Sequence, residues 1–575
     1  MQTNRLIALL LLFIPCLTYA QTEYRAGMSS VSIEPGDESF SVALSGYAGP
    51  WEGRFAVRWD AHGALSANPK LAKFKKANKQ KPTRVSGVTY QLSERGTLRF
   101  KVNKEWAESP SLPGPPLSSF VVQHPYVYGA NGTDTLYKFH IDQPAQGWVR
   151  ALYYNGQIQK VNVHQLFTFD AKLYAINESD SVFSAALIHG SPEEHSYARA
   201  LAIESGKDKV LIICMDLCGF NSDMIEEVKA SIGKKTGLRP ESILINASHT
   251  HFAPGTQKWL PWAPHNRYPD VNYMEKVVKP AIIKAGIEAS TQLFPAKLSF
   301  GRGKTNIGRN RSNAGSPEPY DNAVDVLKVT AADGKKQALL ALTGCHPVYG
   351  TKGARHFTIS SNYPGFMRSA LEKNANTPTL ALFMQGCAGD INPIDEPEVS
   401  GAKLANDVTA VLNTEMTPLS GAITFHMDSL LAPTTPMEKS KVEAFRAANA
   451  KSAGQMEPDR NVAWADLMLK HYQNNDMPKH MPVYIQTLNI GQWKLIGLSR
   501  EVVTEYSLAI KKIWPDKLIS VAGYCNDVSS YLPAERHIRT RVYEGEGSSI
   551  WYGMPSPFPM DILDRVVGQI KSKGY

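Results

Sequence analysis

Two histidines, His249 and His251, stand two residues apart in INASHTHFAPGT, where an apolar run ends and the chain turns through Pro254-Gly255. In an extended segment residues i and i+2 point the same way, so both imidazoles could face one site. Neutral imidazole is a good ligand for zinc, and a second imidazole beside the metal can move protons. Four more apolar runs end in polar loops: Cys345-His346-Pro347, Gly389-Asp390-Ile391-Asn392, Arg500-Glu501, and Asn526-Asp527 through Tyr531. Each has an ordinary structural reading beside the chemical one. His346 could cap a strand before Pro347, and Asp390 after Gly389 is a common turn residue. Glu501 could serve a helix N-terminus, and Tyr531 could be an aromatic packing residue. Taken singly, none of these residues decides between metal chemistry and structure.

The elements that must position these loops alternate between strand and helix over 181–575. RALAIES and KVLIICMDL read as strands, and SILINAS is a strand feeding the His-Thr-His loop. NSDMIEEVKASIGKKTG reads as a helix capped by Asn221 or Ser222, with Met224, Val228 and Ile232 on one face and Gly237 as its stop. VNYMEKVVKPAIIKAGIEAS is helical, with a kink or break expected at Pro280. QALLALTGCHP and TLALFMQGCAGD are strands that end in polar loops, with a helix in SNYPGFMRSALEK between them. KLIGLSREVVTEYSLAIKKIW reads as strand, loop and helix, LISVAGYCND as a strand, and MDILDRVVGQIKSK as a terminal helix. This alternation predicts an α/β fold, a mixed β-sheet core flanked by helices, with 21–50 supplying its first strands. In such sheets ligands bind at the carboxyl ends of the strands, where the five polar loops fall.

Residues 51–180 differ: short apolar alternations such as GTLRFKV, LYKFHI, WVRALYY and KLYAI are separated by Gly, Asn, Pro and Ser. They predict an inserted all-β module. WDAHGALSAN at 59–68 and FDAKLYAIN at 169–177 are faintly alike, which hints at a propeller-like or lectin-like repeat. At the N-terminus, Arg5, the run LIALLLLFIPCL and T-Y-A predict a secretory signal over 1–20, cleaved after Ala20, and hence a secreted or periplasmic protein. The run is too short to span a bilayer comfortably. The net charge of +9 is spread out, apart from KFKKANKQK at 73–81. That run reads first as solvated surface and second as a contact for an acidic polymer or an anionic membrane surface. No helix-turn-helix, zinc finger or aromatic-basic sheet pattern points to nucleic acid, and nothing in the residues gives an oligomeric state. Beyond Cys16, Cys214, Cys218, Cys345, Cys387 and Cys525 form an odd, sparse set, which is not a disulfide framework. Cys214 and Cys218 could pair, but the apolar run VLIICM favours a buried thiol at Cys214.

The combination resembles the neutral, non-lysosomal ceramidases. INASHTHFAPG is similar to that family's N-(A/I)-S-H-T-H-x-x-P-G signature, and further likenesses follow in order along the chain. They are TGCHP at 343–347, QGCAGDINP at 385–393, NRS at 310–312 followed by DVLKV, GLSREVVTEYSLAIKK, and GYCNDVSSYLPAERHIRTRVYEG. The early YRAGMSSVSIEPG…LSGYA looks like the family's opening strand. The resemblance implies a zinc amidase whose metal ligands are His249, His346, Glu501 and Tyr531. It places His251 and Arg311 beside the scissile amide, with Tyr531 and Arg311 as donors to the oxyanion. Zinc would lower the pKa of a bound water from 15.7 to roughly 7. This sequence has Asn392 where the family commonly has a serine, so a serine nucleophile there is excluded. It has Ser499-Arg500-Glu501 for the family's P-G-E, which puts a charge next to the metal-site loop. The chain ends at Tyr575, without room for the separate C-terminal β-domain of typical ceramidases, and the module at 51–180 is not usual in the family. The implied function is a secreted zinc-dependent hydrolase of an N-acyl amide, with a ceramide-like lipid as substrate and transient contact with a membrane surface. The alternatives are a zinc hydrolase of a non-lipid amide or ester, and a surface- or carbohydrate-binding protein with an inactive hydrolase domain.

Overall fold

Ile243–Ala247 and Gln337–Thr343, the strands that lead to the two histidine loops, are buried along almost their whole length. That is why their sequences are continuous apolar runs rather than alternating ones. The computed structural model describes residues 24–47, 51–72, 74, 82–102, 104–152, 160–312, 318–350 and 353–574. The expected signal segment with its cleavage point, and most of the basic run, lie outside these residues. No helix among the described residues is long and apolar enough to cross a membrane.

A nine-stranded mixed sheet forms the core. Its order is Ile243–Ala247, Asp208–Met215, Tyr197–Ser205, Tyr24–Ser32, Phe294–Lys304, Ala323–Ala331, Gln337–Thr343 and Thr379–Gln385, with Thr417–Leu419 pairing off Phe294–Lys304. The two outermost pairs are parallel, and the strands between them pair antiparallel. The end strands meet: Asn246 Nδ2 donates to the Gln385 carbonyl at 3.2 Å, and the Gln385 N–H donates to Asn246 Oδ1 at 2.9 Å. The loops after Ala247 and Gln385 therefore emerge side by side. One face of the sheet packs on the helices Ser222–Thr236 and Lys279–Thr291. The other face packs Leu201, Ile203, Ile212, Leu244, Leu298 and Leu340 against Leu488, Trp493 and Leu495 of a second sheet. That second sheet runs Ile423–Pro433, His480–Ile490, Trp493–Leu498 and Leu518–Ala522.

Gly237 ends the helix Ser222–Thr236 in the left-handed region, at φ 75°, with its N–H on the Gly233 carbonyl. The start of that helix differs from the expectation. The Asn221 side chain accepts from the Lys258 N–H instead of capping, and Asp527 Oδ1 accepts from the Ser222 N–H. Pro280 does not break its helix either. The backbone widens into a π-turn over Met274–Val278 and then continues as Lys279–Thr291. A π-turn accommodates the proline ring and its missing N–H without a break.

Three four-stranded antiparallel sheets fill the inserted region. The first holds the strands from Thr83–Val85 to Glu105–Glu108, and the second those from Ser119–Gln123 to Trp148–Leu152. The third holds Val163–Phe169, Lys172–Asn177 and Ser181–Leu187, completed by Val57–Ala64, and so runs past residue 180. Both faintly similar segments fall in this third sheet. Because Val57 pairs with Leu187, the two ends of the module leave the central domain together. The five cysteines among the described residues are all free and buried. Cys214 faces the core between the two sheets, whereas Cys218 packs with Trp259, Trp262 and Trp551, so the two thiols occupy different layers and form no bridge.

Candidate metal centre and active site

His249 follows its strand in the left-handed region, at φ 66°. Arg500, Tyr524 and Asn526 also have φ between 54° and 78°. Non-glycine residues there cost of order 1–3 kcal/mol each, and such strain gathers where surrounding structure holds a site in place. The His249 N–H donates to the Leu217 carbonyl, and its Nδ1 donates to the Cys218 carbonyl. His346 Nδ1 donates to the Ile391 carbonyl at 3.1 Å. A carbonyl can only accept, so both rings carry a proton on Nδ1 and turn Nε2 inward. The two Nε2 atoms lie 3.1 and 3.3 Å from Glu501 Oε2. These three ligand atoms lie within 4.8 Å of one another. The other Glu501 oxygen accepts from the Tyr552 hydroxyl.

His251 Nε2 stands 3.2 Å from His249 Nε2. Its ring is packed by the loop that leads into the β-module. Tyr47 meets it edge-on at 4.8 Å, and a Cβ on Gly46 would fall 2.2 Å from its Cγ. Arg54, fully buried, donates to the His251 carbonyl at 3.0 Å and to the Ser45 carbonyl at 2.8 Å.

Tyr531 is on a short strand paired in parallel with the one that carries Glu501, in direct register with it. Its hydroxyl accepts from Arg311 Nη2 at 2.8 Å. Arg311 also donates to Glu544 Oε1 at 3.0 Å, to Asn392 Oδ1 at 3.0 Å and to the Gly389 carbonyl at 2.9 Å. The structure thus groups His249, His346 and Glu501 at one point, sets His251 against it, and joins Tyr531 to Arg311 alongside. Arg500 turns away from this point: it donates to Ser530 Oγ and the Pro482 carbonyl and lies over the Phe558 ring.

Burial disfavours the His249 imidazolium, but the Glu501 carboxylate outweighs it and raises the His249 pKa to about 10. Burial likewise raises Glu501, yet His249 holds it well below the usual carboxylate range. Burial, with Arg311 nearby, lowers His346 to about 4. Burial, with His249 and His346, keeps His251 neutral, well below the usual range. Burial pushes the Tyr531 phenol well above its ordinary value. A proton between His249 and Glu501 therefore sits where a cation would sit, and metal binding would release it.

Three residues that the sequence reading did not single out complete the frame. Gln385 Nε2 donates to the Ser248 and Cys345 carbonyls at 2.8 and 2.7 Å, one residue before His249 and His346. Its Oε1 accepts from the Cys345 N–H at 3.1 Å. Asn246 secures the Gln385 backbone, and Tyr552 engages Glu501. Asp390, read as a turn residue, is instead a buried hub: it accepts from Asn310, Thr504 and Arg536, each at 2.8 Å. In the sequence Gln385 is marked only as the polar residue that follows the apolar stretch 380–384, which does not reveal its partners.

A solved neutral ceramidase from Pseudomonas aeruginosa has the same arrangement of elements, with a TM-score of 0.55 over 96% of this chain and 74% of that one, at 14% identity. The fold is that of a neutral ceramidase. A ceramidase complexed with C2 also matches, with a TM-score of 0.49 over 66% of this chain and 69% of that one, at 16% identity. No family model matches the sequence, and no curated protein matches it. In this ceramidase fold the His249, His346 and Glu501 cluster lies where the end strands of the sheet meet the second sheet.

Proposed function

We propose that this chain is a secreted, zinc-dependent amidohydrolase that cleaves an N-acyl amide, with a ceramide-like lipid as substrate. The observation that carries the reading is the convergence of His249 Nε2 and His346 Nε2 on Glu501 Oε2 at 3.1 and 3.3 Å. Two imidazole nitrogens of fixed tautomer and one carboxylate oxygen are a donor set suited to zinc. Tyr531 is the fourth ligand in this reading, and its register beside Glu501 supports that role. The ceramidase fold and the ordered sequence likenesses support the substrate class.

Bound zinc supplies a Lewis acid and a water of lowered pKa at neutral pH. The protein does the rest. Arg311 and the Tyr531 hydroxyl are donors for the amide oxygen as it gains negative charge; losing one such donor typically costs on the order of 100- to 1000-fold in rate. His251, held neutral, can take a proton at Nε2 and pass it to the leaving amine nitrogen. Asn392 accepts from Arg311 and so orients that donor.

The test is metal analysis of the purified protein together with hydrolysis of a fluorescent N-acyl sphingosine. Stoichiometric zinc and zinc-dependent release of the fatty acid are expected. Protein without zinc affinity would overturn the reading. Zinc without turnover of the lipid would move the substrate to a non-lipid amide or an ester.

A further inference from the structure

Where the β-module meets the central domain there is a cleft of about 290 Å³, lined by none of the residues assigned to the metal centre. The module contributes Tyr126, His140, Gln143, Gln146 and Val149 to its wall. The central domain contributes Met224, Met274 and Tyr268, the last 42% exposed. The volume is roughly ten times the ≈ 30 Å³ that one water occupies in the liquid, enough for an organic ligand of ring size.

The electrostatics of the wall narrow the ligand. Its three lysines are all neutralised: Lys138 by Asp270 at 3.1 Å, Lys258 by Asp223, and Lys279 by Glu227 and Glu275. Among the described lining residues no cation is left over to select a phosphate, sulfate or carboxylate; each carboxylate has a lysine partner, although Lys279 serves two of them and the wall keeps one negative charge in excess. The remaining polar groups are uncharged. His140 Nδ1 accepts from the Asp142 N–H at 3.2 Å, so the neutral ring carries its proton on Nε2. That Nε2 is buried and has no partner among the described residues. Gln146 Nε2 donates to Gln143 Oε1, which leaves the Gln143 amide N–H groups and the Gln146 carbonyl to donate and accept. Tyr268 offers an exposed aromatic face, and Val149, Met224 and Met274 offer apolar surface.

We propose that this cleft binds a neutral hexose ring, seated against Tyr268 with its hydroxyl groups on the two glutamines. A sugar ring pairs an apolar C–H face with a rim of hydroxyls, which is the pairing the wall presents. The inference stands apart from the hydrolase reading, because the cleft and the metal centre share no residue in it. The ring could belong to a soluble glycan or to the headgroup of a neutral glycolipid.

The experiment uses the full-length, zinc-loaded protein. Saturation-transfer NMR and calorimetry are run against glucose, galactose, N-acetylglucosamine and their disaccharides. Flotation is run with phosphatidylcholine vesicles with and without a hexosyl lipid. Saturable binding to at least one neutral sugar is expected, weakened about tenfold or more by Tyr268→Ala and by Gln146→Ala, with thermal unfolding unchanged in these surface variants. Binding to free saccharide assigns a soluble glycan, and binding only to hexosyl vesicles assigns a glycolipid. The proposal falls if neither form binds, if both variants bind as well as the parent, or if inorganic phosphate or a sialylated sugar competes for the cleft.

Discussion

His249 and His251 are neighbours in sequence and in space, but the proposed mechanism gives them different tasks, and substitution should separate them. His249→Ala removes one of three converging ligand atoms, so zinc content should fall to near zero and activity with it. His251→Ala leaves His249, His346 and Glu501 in place. Zinc content should stay, while kcat falls by about 100- to 10,000-fold, the range for a lost general acid–base group. Metal analysis beside steady-state kinetics reads both, and equal loss of zinc in the two variants would make His251 a ligand. Gly46→Ala tests the packing of His251 from the opposite side. Its Cβ would meet the His251 ring at 2.2 Å, at a backbone φ of 89° that L-residues rarely adopt. The expected result is slower turnover with zinc retained.

At the scale of elements, the site depends on how two strand ends are held together. Gln385 bridges the residues that precede His249 and His346, so Gln385→Ala should widen their separation. Loss of a partner in this outer layer typically costs about 10- to 100-fold in metal affinity. Competition with a zinc chelator measures that, and unchanged affinity would show that the strand pairing alone sets the spacing. The helix Ser222–Thr236 carries a second testable group. Lys229 on its buried face has no partner for its Nζ among the described residues, and burial lowers its pKa to about 7 from 10.5. Between those two values the unfolded chain binds a proton that the folded chain does not, so stability rises with pH across this window and is lowest below it. Lys229→Met should therefore raise the melting temperature at pH 6, with a gain that shrinks towards pH 10. The strands and helices that position the site were legible because their periodicity, Gly237 and the apolar runs are local signals. The helices Lys439–Ala450 and Met456–Asn474 were not: the first buries only Val442, so no apolar stripe marks it. Gln385 and Asp390 carry tertiary roles that a local pattern does not encode, and the partner that takes the place of Asn221 at its helix start lies about three hundred positions away, in Asp527.

At the scale of the molecule, the all-β region could be a separate domain on a tether or part of one cooperative body. Its interface decides for the second. The Lys138–Asp270 pair joins it to the central domain at 3.1 Å, with both side chains about nine-tenths buried. The Tyr126 hydroxyl accepts from the Val271 N–H at 2.8 Å, and Phe40 and Ala43 of the opening segment pack into the core of the module. Breaking a buried ion pair by removing one partner costs about 3–5 kcal/mol, because the remaining charge is left uncompensated. Lys138→Met should therefore lower the melting temperature of the whole protein in a single calorimetric transition. Adding Asp270→Asn should recover much of that loss: the amide leaves no buried charge, yet its oxygen can still accept from the Tyr273 N–H, which now bonds Asp270 at 3.1 Å. Two resolved transitions, of which Lys138→Met moves only one, would show that the module folds on its own and that its hold on Gly46, Tyr47 and Arg54 beside His251 is incidental.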